Sequence, residues 1–422
     1  MVEGKERMQT LHLVHQYVPE KVGGTELYTQ WLSRAQVQRS YQAMVFYRCG
    51  RDGKGIEHRV DHGVDVWSTW NEPLSDSRRF LATWGDSFVL DAFEQVLERL
   101  DPDIVHVEHL MGLPVALINA LQRRQIPYVI TLWDFWWICA NAQLLTNYSQ
   151  EICDGPEAYL NCARCALARA GVRWLLPAVP AVSGLLGWRN RLLRGVMTGA
   201  ARLIAPTPFV RDWYASHGAP ADNLVVAQPA LESRATSVAR GRGPKASLRF
   251  AYIGGLSWQK GVHVLAEAFS RLRGAAELWI AGDETFDPKY TARLRAEATP
   301  NVKFLGRLSR DDVWKTLAEV DVVAVPSLWY ETFSFIVSEA FAAGVPVVAS
   351  RLGPLADRVR DQVDGLLIPP GDVSAWRDGL QRLVEEPDLL KRLTANVQPP
   401  VTLDEHVDQI EGLYRAVLAE RR

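Results

Sequence analysis

The chain has 422 residues, too many for one ordinary core, and its 48% hydrophobic and 23% charged content is that of a globular protein of two or three domains. A formal net charge of −2, with no run of like charges, removes any electrostatic case for nucleic-acid binding. The opening "MVEGKERMQTLHLVH" carries no signal-peptide core, and the uncharged stretch Trp174 to Trp188 holds two prolines and two glycines and is too short to span a bilayer.

In chain order, strands are predicted at 10–14, 43–47, 104–107, 128–132 and 202–205, with a helix after Gly24 and others near 78–99 and 112–122. "ESRATSVARGRGPKAS" (232–247) has few large apolar residues and reads as a linker. Beyond it the alternation is regular. "LRFAYIGGL" (248–256) is a strand entering a glycine turn, and Val262, Leu265, Ala266, Phe269 and Leu272 recur at helical spacing. "AELWIAG" is a strand, 287–298 a helix, "NVKFLG" a strand, and "SRDDVWKTLAEV" a helix with Ser309 as its N-cap. "VVAVPS" and "VPVVAS" are strands around a further helix. This order predicts an α/β fold with parallel, doubly wound sheets, whose ligands bind at the carboxyl ends of the strands.

Three glycine or carboxylate stations lie at those ends. "VPEKVGGTE" (18–26) puts Gly23 and Gly24 at a helix mouth, where the backbone can approach a phosphate, although an ordinary turn has the same residues. The dinucleotide fingerprint G-x-G-x-x-G is absent. "GGLSWQKGVHVL" (254–265) puts Lys260 at the start of a helix, where a cation is unfavourable unless an anion such as a diphosphate accompanies it; a solvated lysine is the alternative. "SLWYETFSFIVSEAFAAGVPVVAS" (327–350) holds Glu331 and Glu339 in an otherwise almost wholly apolar run. A buried carboxylate needs a partner, either a side chain or a ligand. With a helix starting near Phe333 or Ser334, Glu331 sits at its mouth beside the N–H groups of Phe333, Ser334 and Phe335, where it can accept sugar hydroxyls. Glu339, on the second turn of that helix, can accept a ribose diol. The alternatives are a mouth carboxylate held by the helix dipole and a solvated helix residue.

The combination "YIGGLSWQKG … GR … PSLWYETFSFIVSEAFAAGVPVVAS … DGLLIPPGD", with "GGTE" and "DIVHVEH" (103–109) before it, resembles the retaining family-4 glycosyltransferases of GT-B architecture. The resemblance implies two Rossmann-like domains facing a cleft: residues 1–231 binding the acceptor, residues 246–400 binding the nucleotide sugar, and a helix in 401–422 packing back on the first. It implies transfer of a sugar from a nucleotide-diphosphate donor with retention, without a catalytic metal, to a glycan, lipid-linked or small-molecule acceptor. Glu331 would hold sugar hydroxyls and Glu339 the ribose. The backbone at Phe333, Ser334 and Phe335 would bind sugar and diphosphate, with Lys260 neutralising phosphate charge. Gly306 and Arg307 fall at the nucleobase loop, and Gly23 and Gly24 approach the diphosphate. Two positions depart from the family pattern. Gly255 stands where an arginine is usual, which removes a bidentate phosphate clamp. In "TLWD" Trp133 replaces a histidine, leaving His109 and Asp134 as the acceptor-side candidates. The rival readings are a catalytically silent homologue that binds nucleotide sugar or supports a partner enzyme, and a GT-B epimerase or phosphorylase.

Cys139, Cys153, Cys162 and Cys165 cluster in an insertion of about 139–165, apart from Cys49. Unpaired thiols or a metal site are the expectation for a cytoplasmic chain, and four thiolates suit a structural Zn²⁺ that holds the insertion without acting in catalysis. "RWLLPAVPAVSGLLGWRNRLLRG" (173–195) mixes Trp and Leu with Arg. It is either a loop and a core helix or a peripheral contact with the inner membrane surface.

Overall fold

The computed structural model describes residues 7–232 and 247–421, so the expected linker lies, apart from its two end residues, outside the described residues. The chain divides into two compact units: Met1–Pro229 with Leu403–Arg422, and Ala230–Thr402.

The first unit is built on eight strands: β1 (Gln9–Val14), β2 (Gln42–Arg48), β3 (Lys54–Asp61), β4 (Val64–Asn71), β5 (Ile104–Val107), β6 (Tyr128–Thr131), β7 (Arg202–Ala205) and β8 (Leu224–Val226). Their order is β3-β4-β2-β1-β5-β6-β7-β8, all parallel except the β3–β4 hairpin. β1, β2, β5 and β6 are nearly continuous buried runs because helices cover both faces. The β3–β4 hairpin was not apparent from apolar spacing: β3 is an edge strand with largely exposed side chains. Its turn, His62–Gly63, has positive φ at both residues, the geometry of a tight two-residue hairpin. The single helix expected near 78–99 is two, Asp76–Leu81 and Ser87–Leu100, because Asp86 caps the second by accepting the Val89 N–H. The C-terminal helix Leu403–Ala419 belongs to this unit. Its His406 Nε2 lies 2.7 Å from Tyr28 Oη, and its Tyr414 Oη 2.6 Å from His106 Nδ1.

The second unit has six strands, β9 (Leu248–Ile253), β10 (Ala276–Ala281), β11 (Val302–Gly306), β12 (Val322–Val325), β13 (Val347–Ser350) and β14 (Gly365–Ile368), all parallel in the order β11-β10-β9-β12-β13-β14. Its core packs Phe250, Leu278, Val322, Val348 and Leu366 of the sheet against Val262, Leu265, Phe269 and Trp376 of the helices. The order in which strands are added to the sheet reverses between β9 and β12, the point at which such sheets leave a crevice outside the carboxyl ends of the strands. In the first unit the same reversal falls between β1 and β5.

Candidate active site

In the second unit the loops after β9 and β12 meet at the reversal point. Lys260 does not begin the long helix. It ends a short 3-10 turn, Trp258–Lys260, and Gly261 (φ 70°) opens the helix Val262–Ser270. A Cβ at Gly261 would lie 1.9 Å from Pro326 O, so only glycine lets the two loops approach. Lys260 Nζ donates to Glu331 Oε1 at 2.7 Å, and its ammonium stands 5.2 Å from the Trp329 ring centroid. Ser327 Oγ (2.6 Å) and Trp329 Nε1 (3.2 Å) donate to the same oxygen. Burial pushes the Glu331 carboxyl up, but Lys260 and these donors outweigh it and hold it below the usual carboxylate range. Among the described residues all its donors converge on Oε1, so Oε2 is the oxygen left for a ligand. Glu339, also buried, is paired with Arg310, whose Nη1 lies 2.5 Å from Oε1. Both glutamates of the apolar run therefore have side-chain partners, and Lys260 owes its position to Glu331.

The helix following Glu331 starts at Phe335, one or two residues later than expected. Its N-cap, Ser334, has φ 61° and ψ 82°, a left-handed conformation, and makes no side-chain cap. Arg358 explains how this is held. Its Nη1 donates to the carbonyl oxygens of Phe333 and Ser334, its Nη2 donates to Ser338 Oγ at 2.6 Å, and its guanidinium lies 3.7 Å from the Phe333 ring centroid. In a trans peptide the N–H points opposite to the C=O. Fixing these two carbonyls therefore turns the N–H groups of Ser334 and Phe335 to the sides of their peptide planes away from Arg358. Burial alone pushes the guanidinium down to about 9. Arg358 and Arg310 were not found from sequence, since neither lies in a glycine loop or an apolar run.

Gly255 borders open space: a Cβ added there would meet nothing within 4 Å, and its carbonyl accepts from Tyr252 Oη at 2.6 Å. Gly306 (φ 69°) closes β11, and the exposed Arg307 lies 3.6 Å from Asp283.

In the first unit, His15, His109 and Asp134 follow the adjacent strands β1, β5 and β6. His109 Nδ1 accepts the Met111 N–H (3.0 Å), which assigns the proton to Nε2, and Nε2 donates to Asp134 Oδ2 at 3.1 Å. Asp134 Oδ1 accepts the Trp136 N–H at 2.8 Å, and the carboxylate remains 30% exposed. The His15 and His109 rings are 4.6 Å apart, and His15 Nε2 lies 3.8 Å from Glu26 Oε1. Burial, then the charges of His109 and Arg79, hold the His15 imidazole well below its usual value, so it is neutral. Burial raises the Glu26 carboxyl. His15 Nδ1 is buried without a hydrogen-bond partner among the described residues. The signal for His15 is its position at the end of β1, and that for Glu26, which stands in "GGTE", its place in the first turn of the following helix. Gly23 is extended and sits against Glu26, whose Oε2 would lie 2.6 Å from an added Cβ. Gly24 is the first residue of the helix Gly24–Gln38.

Trp133 faces inward. Its Nε1 donates to the fully buried Glu108 Oε2 at 2.9 Å, and Glu108 Oε1 lies 3.0 Å from His12 Nδ1. Among the described residues, His12, His106 and Glu108 are the side chains whose ligand atoms gather as tightly as metal ligands would. Each already has protein partners, with Gln36 on His12 and Thr131 and Tyr414 on His106, so the set is a closed polar network. All five cysteines are unpaired thiols. Burial, then Cys139, Cys153 and Cys165, push the Cys162 thiol up to about 12, but no three of these sulfurs gather within 4.8 Å.

Residues 23–230 match the model of the glycosyl transferase 4-like domain, and residues 247–386 that of the glycosyl transferases group 1. A D-inositol 3-phosphate glycosyltransferase of Salinispora arenicola is 34% identical over 172 residues, 37% of this chain and 38% of that protein. An uncharacterized 42.6 kDa protein in the cps region of Klebsiella pneumoniae is 22% identical over 82% of this chain and 85% of its own. The matches to the first two curated relatives span only 38% and 35% of those proteins. Among solved structures, sucrose-phosphate synthase from Thermosynechococcus elongatus superposes with a TM-score of 0.72 at 18% identity, over 98% of this chain and 100% of that one. Anabaena HepE in complex with UDP and glucose superposes with a TM-score of 0.67 at 18% identity, over 97% and 100%. The chain belongs to the group 1 glycosyl transferases and has the GT-B fold.

Proposed function

We propose that the protein transfers a sugar from a nucleoside-diphosphate sugar to a hydroxyl acceptor, with retention at the anomeric carbon and without a catalytic metal. The observation that carries this reading is Glu331, whose Oε1 is saturated by Lys260, Ser327 and Trp329 while Oε2 has no described donor. A carboxylate so fixed can accept sugar hydroxyls without moving, beside the helix-mouth N–H groups of Ser334 and Phe335, which suit the departing diphosphate. The bond from the anomeric carbon to the diphosphate oxygen breaks, the acceptor oxygen bonds to that carbon on the same face, and the acceptor hydroxyl's proton passes to the departing diphosphate oxygen. In the first unit the partly exposed Asp134 can accept the acceptor hydroxyl, and His109 positions it. Two named resemblances support a nucleotide donor: HepE was solved with UDP-glucose, and a starch synthase IV domain with ADP. Gly255 favours a second reading, a homologue that binds nucleotide sugar without transfer.

A thermal-shift panel of UDP, GDP, ADP and dTDP with their sugars tests donor binding; a ligand at about 100 times its Kd should stabilise by about 2.7 kcal/mol. No shift with any nucleotide overturns the reading, and binding without turnover supports the silent homologue. Retention is read from the product anomer by NMR, and a rate unchanged by chelator supports metal-free transfer. Cys139, Cys153, Cys162 and Cys165 would hold a structural Zn²⁺ if their sulfurs drew in to about 2.3 Å from the metal. Protein purified without chelator should contain one zinc, and its absence overturns this assignment. The unpaired thiols support a cytoplasmic location.

A further inference from the structure

From Ala158 to Arg211 the chain has eight arginines and no Asp, Glu or Lys. Removing these eight from the 47 Lys and Arg leaves 39 basic against 49 acidic residues elsewhere, so a chain of nearly balanced charge carries one strongly basic segment. The structure places five of the arginines, Arg164, Arg169, Arg173, Arg191 and Arg194, at the surface. Large apolar side chains stand exposed among them: Trp174 (74%), Leu176 (60%), Trp188 (54%) and Leu185.

The arrangement is ordered. Along the helix Val179–Gly199, Ala181, Leu185, Trp188 and the half-buried Leu192 recur at steps of three and four, forming one apolar stripe facing solvent. Arg191 borders it on the solvent side, Arg194 lies further round beside Gly218, and an adjacent face buries Leu186, Arg189, Leu193 and Val196 in the fold. Arg189 is committed there, donating to the Trp136 carbonyl at 2.8 Å. The helix is thus held by one face and leaves the stripe exposed, apart from Trp188, whose ring also packs 5.5 Å from that of Trp84. Trp174 and Leu176 lead into it through the 3-10 turn Leu176–Ala178.

We propose that this face docks on the surface of an anionic lipid bilayer. Tryptophan and leucine at headgroup depth with arginines beside them are the side chains an interfacial helix uses. A second copy of the chain fits poorly, because a two-fold contact would set arginines against arginines. Among the described residues no helix is long and apolar enough to cross a membrane, so contact would be from one side. Resting on the glycosyl-transfer reading, docking assigns the acceptor to the lipid-linked class, since the face lies on the unit that carries His109 and Asp134.

Co-sedimentation of the full chain with phosphatidylcholine vesicles, with and without about one-third phosphatidylglycerol, tests this. Binding is expected only to the anionic vesicles, weakening as salt rises. Trp174→Ser with Trp188→Ser, and separately Arg173→Glu with Arg191→Glu and Arg194→Glu, should each weaken it about tenfold or more. Trp174→Ser alone, outside the helix, keeps the test open if a combined variant fails to fold. No binding to anionic vesicles, or equal binding by all variants, overturns the proposal. A concentration-dependent dimer abolished by the tryptophan changes gives the face to a second copy and also overturns it. Vesicle binding without nucleotide-sugar binding would overturn the transfer reading alone, and the reverse result the membrane face alone.

Discussion

Lys260 Nζ lies 2.7 Å from Glu331 Oε1 although 71 residues separate them, joining the loop after β9 to the loop after β12. The pair ties together two loops that border the reversal point of the second sheet and engages one of the two glutamate oxygens. Its cation is committed to a side chain and so is only partly available to a diphosphate.

Replacing Lys260 by Met leaves Glu331 buried without its counter-ion. Because Lys260 is a quarter exposed, the cost should be on the order of 1–3 kcal/mol, less than for a fully buried pair, as read by urea unfolding. The Glu331 carboxyl is held below its ordinary value of 4.5. The folded protein therefore binds fewer protons than the unfolded chain just below that value, and the contribution present above it is lost as pH falls through the folded value. In Lys260→Met the Glu331 carboxyl rises, and the acid limb of the activity profile should move to higher pH.

Arg358→Lys keeps a positive charge but loses the planar fork that holds two carbonyls. With this loop loosened, affinity for the nucleoside diphosphate should fall about tenfold, the loss of roughly 1.4 kcal/mol of charge-assisted hydrogen bonding. Affinity for the bare nucleoside should not change. Calorimetry with both ligands separates this from general loosening, which would weaken the two equally.

Gly255→Arg puts a guanidinium into open space after β9. If the diphosphate lies there, affinity should rise by about tenfold from a bidentate contact. Calorimetry with the nucleoside diphosphate checks it, and an unchanged Kd would move the diphosphate away from this loop.

Burial raises the Glu26 carboxyl, so its ionised form is penalised in the folded state above its ordinary value of 4.5. Glu26→Gln removes that penalty and should raise Tm at pH 8 by roughly 2 °C. The same change should lower kcat/KM if Glu26 and His15 contact the acceptor. Calorimetric melting and acceptor-saturation kinetics measure the two effects.

Much of this was legible in the sequence. The regular strand–helix alternation after residue 248 and the unbroken apolar strands specify a parallel sheet, because no other arrangement buries both faces of such strands. Glu331 and Glu339 stood out as charges in an apolar run. Their partners did not, since Lys260, Arg310 and Arg358 reach them or their loop across sequence separations that no local pattern records. The β3–β4 hairpin escaped because an exposed edge strand carries little apolar alternation, although the His62–Gly63 turn marked it. The partner of Trp133, the buried Glu108 that accepts its indole N–H, lies 25 residues earlier and leaves no local pattern either.

The central claim is that Glu331 Oε2 holds the donor sugar. Calorimetry should compare a nucleoside-diphosphate sugar with its bare nucleoside diphosphate on the wild-type protein and on Glu331→Gln. The account predicts that the wild type prefers the sugar nucleotide and that the variant loses this preference while still binding the nucleoside diphosphate. A variant that keeps the full preference, or a wild-type protein that binds neither ligand, would contradict it.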